Sequence, residues 1–334
     1  MTSPNTPDIR TGPDNDTVLT VLRLAQRAPS VHNTQPWHWT FDGIRLHLHT
    51  DPDRMLPATD PHGRQQVISC GAVLHHARTA FAAHGWHTDT TRMPDPHRPN
   101  YLAAIEFRPW PNPPAGVATR AEMIARRRTD RLPLLPPQGW NGLLHSLRKL
   151  ASPHETTLDV LDKSTRARLA GLSAQAAAAR KHDDMYQMEL HWWAGHSGVP
   201  EGVPRSALVS DAEFARVDVG RVFPSAPHSV RRAELTDQAE VVALGSTGES
   251  VPHWLHTGEA LSAILLECTT AGLATCAVTH VTELAAGRRA IADLLPHHAV
   301  PQAVIRIGTA PSDEPELPPT PRRPLADVLT IRRP

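Results

Sequence analysis

The sequence predicts an α+β protein made of two degenerate copies of one unit fused in a single chain of 334 residues. Two observations predict it. Residues 71–86 and 258–273 both read as helices, with the same spacing from Gly71 to Gly85 as from Gly258 to Gly272, and with Leu74 matching Leu261. Each ends at a glycine suited to a left-handed C-cap. Each is followed later by an apolar strand, residues 101–107 in one half and 303–307 in the other. A repeat of this kind is read before any local feature, because it sets the architecture.

The elements follow in chain order. Residues 1–15, rich in Pro, Asp, Asn and Thr, are expected to be disordered. A helix covers about 17–27, with Val18, Leu19, Val21, Leu22 and Ala25 on its apolar side. Residues 37–41 and 44–49 form a hairpin, since Asp42 and Gly43 suit a tight primed turn. The first repeat helix spans about 62–84, and a polar, Pro-rich stretch at 92–100 leads into strand 101–107. Residues 109–116 are mostly Pro and Gly and make a linker, separating a first half at 16–114 from a second at 115–334.

The second half opens with helices near 118–127 and 140–151, a strand at 157–161, and helical patterns over 164–181 and 183–194. Residues 195–229 carry several Gly and Pro in no regular pattern. Such a length is unusual for a loop in a compact domain and marks a lid or binding loop. A strand at 241–244, the second repeat helix at 252–271 and a short helix ending at 291–295 follow. The last sixteen residues, Pro-rich and basic, are expected to wrap over the partner half.

Composition narrows the function. Thirty-four basic residues balance 34 acidic ones, which argues against nucleic acid or an anionic membrane as partner. No apolar run is long enough to span a bilayer, and the polar N-terminus lacks a signal peptide's apolar stretch. Cys70, Cys268 and Cys276 form no C-x-x-C pair, so a reducing cytoplasm is the expected location. His47 and His49 share a strand face but have no further ligands at recognisable spacing, which points to surface histidines and no metal. No Ser-His-Asp nucleophile elbow is present.

The chemistry concentrates in residues 28–37. Pro29 and Pro36 fix φ and remove backbone donors. Between them Ser30, Asn33 and Gln35 offer hydrogen-bonding groups that could meet the edge of a flat heterocycle. This loop resembles the Pro-Ser-x-x-Asn-x-Gln-Pro-Trp segment of the FMN-dependent nitroreductase family, and the adjoining sequence is similar to its Acg-like, single-chain branch. Residues 127–131 resemble the family's Arg-x-Ser-x-Arg/Lys signature, with Thr129 in the Ser position.

The resemblance implies a nitroreductase-like fold, with a mostly antiparallel sheet in each half and helices around it. It implies that Arg127 meets the FMN phosphate, that Thr129 assists the phosphate and ribityl end, and that Arg131 lies near the pyrimidine edge. A planar guanidinium suits phosphate oxygens. Residues 272–280 resemble the family segment beside flavin N5 and O4, which would bring Ala277, Thr279 and His280 nearest the reactive edge. Small residues there permit close backbone approach. Arg322 and Arg323 match C-terminal basic residues that family members place on the FMN phosphate, with a solvated tail as the competing reading.

In standard members the basic signature precedes the Pro-Ser loop by a few dozen residues. Here the two are reversed and about a hundred residues apart. Two fused copies explain this: the second half's Arg127–Arg131 would complete the first half's Pro29–Trp37. The opposite pairing, residues 1–17 with the segment after 151, keeps neither signature intact, so one FMN site per chain is expected. The implied function is an oxidoreductase passing hydride from NAD(P)H to flavin N5 and on to a small nitro, quinone or related acceptor, with no protein acid or base strictly required. The alternative is a flavin-sequestering protein with a covered site and little turnover. The assembly would be a monomeric pseudo-dimer or a homodimer.

Overall fold

The computed structural model describes residues 12–195, 201–223, 228–297, 299–314 and 318–332. In the first half, α1 (Asn15–Ala25) starts at Asp14, whose carboxylate accepts from the Thr17 amide at 2.8 Å. It buries Val18, Val21, Leu22 and Ala25. Of the disorder expected for 1–15, residues 1–11 lie outside the described residues, and Asn15 is already helical because Asp14 caps it. The hairpin of β1 (Trp37–Phe41) and β2 (Leu46–Thr50) turns where Gly43 takes φ +95° and the Asp42 carboxylate accepts from the Ile44 and Arg45 amides. Then come α2 (Arg64–Ala83), β3 (Trp86–Arg92) and β4 (Tyr101–Pro109).

The second half contributes α3 (Val117–Arg126), α4 (Trp140–Ala151), β5 (Thr156–Val160), α5 (Lys163–Arg180), α6 (Asp184–Trp192), α7 (Asp211–Phe214), β6 (Glu240–Ser246), α8 (Val251–Thr270), β7 (Ala274–Val278), α9 (His280–Glu283), α10 (Ala285–Ala292), β8 (Val300–Gly308) and β9 (Leu329–Ile331). The two sheets run β3-β4-β2-β1-β9 and β7-β8-β6-β5. Leaving β9 aside, they have the same strand order with antiparallel neighbours throughout. The duplication thus extends from the helices to the sheets.

The repeat glycines mark the centre of the molecule, where α2 and α8 cross. A Cβ on Gly71 would sit 2.1 Å from the Leu255 carbonyl oxygen, and one on Gly258 would sit 2.0 Å from that of Ile68. Only glycine permits this approach. The matching glycines at the helix ends, Gly85 and Gly272, take φ +78° and +73°, the left-handed C-cap geometry. The crossing makes one body of the two halves: Leu255 and Leu266 of α8 enter the first half's core, and Ile68 of α2 enters the second's.

Three strands carry no sequence expectation. β3 is polar and half-buried, and it is held as a strand by seven paired positions against β4. β7 is held in the same way by β8. β9 lies parallel to β1, with Trp39 opposite Leu329, so the end of the chain becomes the edge strand of the first half's sheet. Cys70 and Cys268 are fully buried, and burial raises both thiols, Cys268 to about 12. Among the described residues no helix is long and apolar enough to cross a membrane.

Candidate functional site

Residues 28–37 form a tight, strained loop. His32, Asn33 and Gln35 all have positive φ, between +48° and +56°, which non-glycine residues adopt at a cost. Hydrogen bonds hold them there. Ser30 Oγ accepts from the Gln35 amide at 3.0 Å, and Ser69 Oγ of α2 accepts from the Val31 amide at 3.1 Å. Gln35 Oε1 accepts from the Arg323 amide at 2.8 Å, and Gln35 Nε2 donates to the Asn33 carbonyl at 3.2 Å. The Arg323 guanidinium donates to the Gln35 carbonyl and to Asp51. Asn33 Nδ2 donates to the carbonyls of Gly202 and Pro321. The C-terminal segment and the 201–223 segment both clamp the loop.

Two adjoining cavities open beside it, sharing Pro29, Ser30, His32, Thr129, Arg131 and Val209 as walls. The inner one, about 120 Å³, is floored by Ile68, Ser69 and Ala72 of α2, Leu261 of α8, and the run from Cys276 to Thr279. Val209, Phe214, Val217 and Phe223 roof it. The outer one, about 560 Å³, is lined by Asn33, Arg27, Arg127, Arg128 and Arg322 among others. Both halves build both cavities.

Three arginines of the outer cavity, Arg27, Arg127 and Arg322, donate to backbone carbonyls. Arg127 is 6% exposed, and Nη2 donates to the Arg27 carbonyl at 3.3 Å. Burial, then the neighbouring Arg27 and Arg128, depress its pKa to about 10. Arg322 donates to the carbonyls of Gln26, Arg27 and Ala28, and is held well below its ordinary value by burial and by Arg127 and Arg27. Arg27 donates to the Thr320 carbonyl. Among the described residues none of these three has a carboxylate partner. Nearby arginines do: Arg231 pairs with Glu213, Arg232 with Asp130 and Glu314, and Arg306 with Asp237. A part-buried group of three cations without carboxylate partners among the described residues favours an anion beside it.

At the inner end, Arg131 Nη1 donates to the Ala207 carbonyl, and the guanidinium lies 5.4 Å from the Phe223 ring centroid. Arg221 lies 6.0 Å from the same ring, bonds the Tyr186 hydroxyl and pairs with Glu283. The His32 ring meets Phe223 edge-on at 5.9 Å.

Of the residues expected from the sequence, Pro29, Ser30, Asn33, Arg127, Thr129, Arg131, Ala277, Thr279 and Arg322 line one or both cavities. Gln35, Arg323 and His280 do not. The first two bracket the loop, and His280 Nε2 is 2.8 Å from Ser173 Oγ, with burial pulling its pKa to about 3. Arg27, His32, Arg221 and Phe223 join the site only through folding. Arg27 immediately precedes the loop and His32 lies inside it, which was the available signal. Arg221 and Phe223 come from the irregular segment and had none. His47 bonds Tyr101 and Asp42, His49 stacks on Tyr101, and no metal-binding group of three occurs among the described residues.

The pseudo-symmetric position is filled. The repeat glycines place Glu259 where the other half has Ala72, and Arg92 where it has Thr279. The sheets agree, since Thr90 opposes Ile105 as Ala277 opposes Ile305. Glu259 is wholly buried and accepts from Arg78 at 2.8 Å and from Arg92 at 2.6 and 2.8 Å. Burial would raise its pKa, but the hydrogen bond and charge of Arg92, with Arg78 beside them, outweigh burial and hold it below the ordinary value. An ion-paired cluster occupies the place of the cavity floor.

No protein-family model matches the chain. The chain is 44% identical over 315 residues to "Uncharacterized protein Rv3127" of Mycobacterium tuberculosis, covering 93% of this chain and 92% of that one. It is 42% identical over 318 residues to "Putative NAD(P)H nitroreductase acg" of the same organism, covering 95% and 96%. Among solved structures it is similar to the FMN-dependent nitroreductase NfnB from Mycobacterium smegmatis in complex with NADPH. That likeness has 16% identity and a TM-score of 0.39, over 65% of this chain and 100% of that one.

Proposed function

The chain belongs to the nitroreductase family, and from that premise we propose that it is an FMN-dependent oxidoreductase. It would take hydride from NADH or NADPH and reduce a small nitro, quinone or chemically similar acceptor. The observation that carries this reading is the trio of buried Arg127 and part-buried Arg27 and Arg322 at the outer cavity, without a carboxylate partner among the described residues. A phosphate supplies the missing negative charge, and guanidinium forks match its oxygens. Buried polar atoms at the walls without a partner, Arg127 Nε and both ring nitrogens of His32, fit a polar ligand as well.

In this reading Arg127 and Arg322 hold the phosphate, and Thr129 assists it and the ribityl chain. Arg131 places its charge at the pyrimidine edge, while Pro29, Ser30 and Asn33 face the cofactor from the other half. Ala277 and Thr279 line the reactive side. Gln35, Arg323 and His280 support that wall from behind. FMN bound there supplies the hydride and electron chemistry, and the protein supplies position and field. Arg131, desolvated beside Phe223, stabilises negative charge more strongly than it would in water. The apolar roof of Val209, Phe214, Val217 and Phe223 excludes water from the inner cavity. His280 is held neutral by burial, so acceptor protons come from solvent.

One observation favours the sequestering alternative. The 201–223 segment is pinned shut: Asn33 and Gly202 bond each other in both directions, Arg54 pairs with Glu201, and Arg221 pairs with Glu283. A roof that stayed closed would bar nicotinamide from the flavin face. Denaturing the purified holoprotein and quantifying flavin, followed by aerobic NAD(P)H oxidation with a nitroaromatic or quinone, separates the readings. One FMN per chain with turnover is the expected result. One FMN without turnover supports sequestration, and no flavin refutes both.

A further inference from the structure

Beyond the groups expected to hold the cofactor, the neck between the two cavities carries one side chain whose chemistry is unused within the protein. His32 is 7% exposed and lines both cavities, yet neither ring nitrogen has a hydrogen-bond partner among the described residues. Its backbone is left-handed, at φ +48°. Buried, unsatisfied polar atoms and a strained backbone each carry a free-energy cost. Both persist here at a cavity wall, where a ligand can supply what the chain does not.

A second wall residue makes the same demand. Gln65 of α2 is buried against the inner cavity. Its Nε2 donates to Glu283 at 3.4 Å, and its Oε1 has no partner among the described residues. Two residues lining the inner cavity thus leave unpartnered one imidazole N–H donor, one imidazole nitrogen acceptor and one amide oxygen that can only accept. Burial, with the charges of Arg221 and Arg131 behind it, holds His32 well below its ordinary pKa and therefore neutral. An isoalloxazine edge offers the complement, with carbonyl oxygens and ring nitrogens that accept and a ring N–H that donates.

We propose that His32 and Gln65 are flavin-recognition residues: neutral His32 donates a hydrogen bond to an acceptor atom of the ring, and Gln65 Oε1 accepts from a ring N–H. This rests on the FMN reading above. His32 contributes binding and orientation, not proton transfer, because it stays uncharged in the buried wall.

The test uses full-length apo-protein titrated with FMN, read by flavin fluorescence and by the visible spectrum of the bound form. His32→Phe keeps an aromatic ring beside Phe223 and removes both nitrogens. It should raise the Kd by about five- to thirtyfold, the size of one neutral hydrogen bond with its partner left unsatisfied, and shift the flavin band. His32→Asn retains an N–H donor and tolerates left-handed φ, so it should recover most of the affinity. Gln65→Met should weaken binding by a similar factor. Wild-type Kd and an unaltered spectrum in His32→Phe and Gln65→Met would overturn the assignment, as would equal losses in His32→Phe and His32→Asn with a lowered apo-protein Tm. A wild-type chain that binds no FMN would instead overturn the flavin reading itself.

Discussion

Removing the Arg127 charge should move two measurements in opposite directions. Arg127→Met keeps much of the buried stem's volume and deletes the guanidinium. In the apo-protein that group lies 6% exposed beside Arg27 and Arg322, without a carboxylate partner among the described residues. Burial is the main cause that lowers its pKa from 12.5 to about 10. At neutral pH the guanidinium is protonated, so the displacement measures a cost, about 3 kcal/mol at 1.36 kcal/mol per unit. The sign follows from a folded-state pKa below the unfolded one in a basic group. The cost is complete at every pH below about 10 and shrinks only above it. Deleting the charge therefore stabilises the apo-protein at neutral pH by up to about 3 kcal/mol, less roughly 1 kcal/mol for the lost hydrogen bond to the Arg27 carbonyl. The same change removes a charged hydrogen bond to phosphate, worth about 1.5–3 kcal/mol, and weakens FMN binding roughly ten- to a hundredfold. Thermal melts of apo-protein and fluorescence titration with FMN give the two numbers. A variant that binds FMN as tightly as wild type, with a lower apo Tm, would make Arg127 a scaffold residue and refute the phosphate assignment.

Two further changes test the architecture. Gly258→Ala places a Cβ 2.0 Å from the Ile68 carbonyl and 2.7 Å from Gly71 Cα, backbone on both sides. It should destabilise by about 3 kcal/mol or more in urea denaturation, and an unchanged midpoint would show that the helices can separate without cost. Glu259→Gln leaves Arg78 and Arg92 against a neutral amide in the core, an expected loss of about 3–5 kcal/mol, while flavin stoichiometry stays at one per chain. The wild-type Glu259 carboxyl is held below its ordinary value of 4.5. Its contribution is thus complete above that pH and is lost as pH falls through the folded-state value. The stability difference between wild type and variant should narrow over that acid range, and a constant difference would exclude the ion pairs as its source.

The duplication was legible in residues alone because it rests on backbone geometry that only glycine supplies. Gly71 and Gly258 had to coincide with the helix crossing, and Gly85 and Gly272 with the C-caps, whatever the surrounding side chains. The loop at Pro29–Trp37 and the basic run at Arg127–Arg131 were equally visible, since each gathers its polar groups within a few residues. Tertiary structure alone decided which of those groups face the cavity. Gln35, Arg323 and His280 are spent on neighbours brought from far along the chain, and long-range hydrogen bonds leave no local pattern. His32 became notable only once folding had withheld partners from its ring. The strands β3, β7 and β9 also waited on the fold. Their residues are polar or few, and they are strands because β4, β8 and β1 offer open edges. Local sequence determines what a segment can do with its own atoms. Pairing, burial and the absence of a counter-charge are properties of neighbours, and neighbours are assigned only by the folded chain.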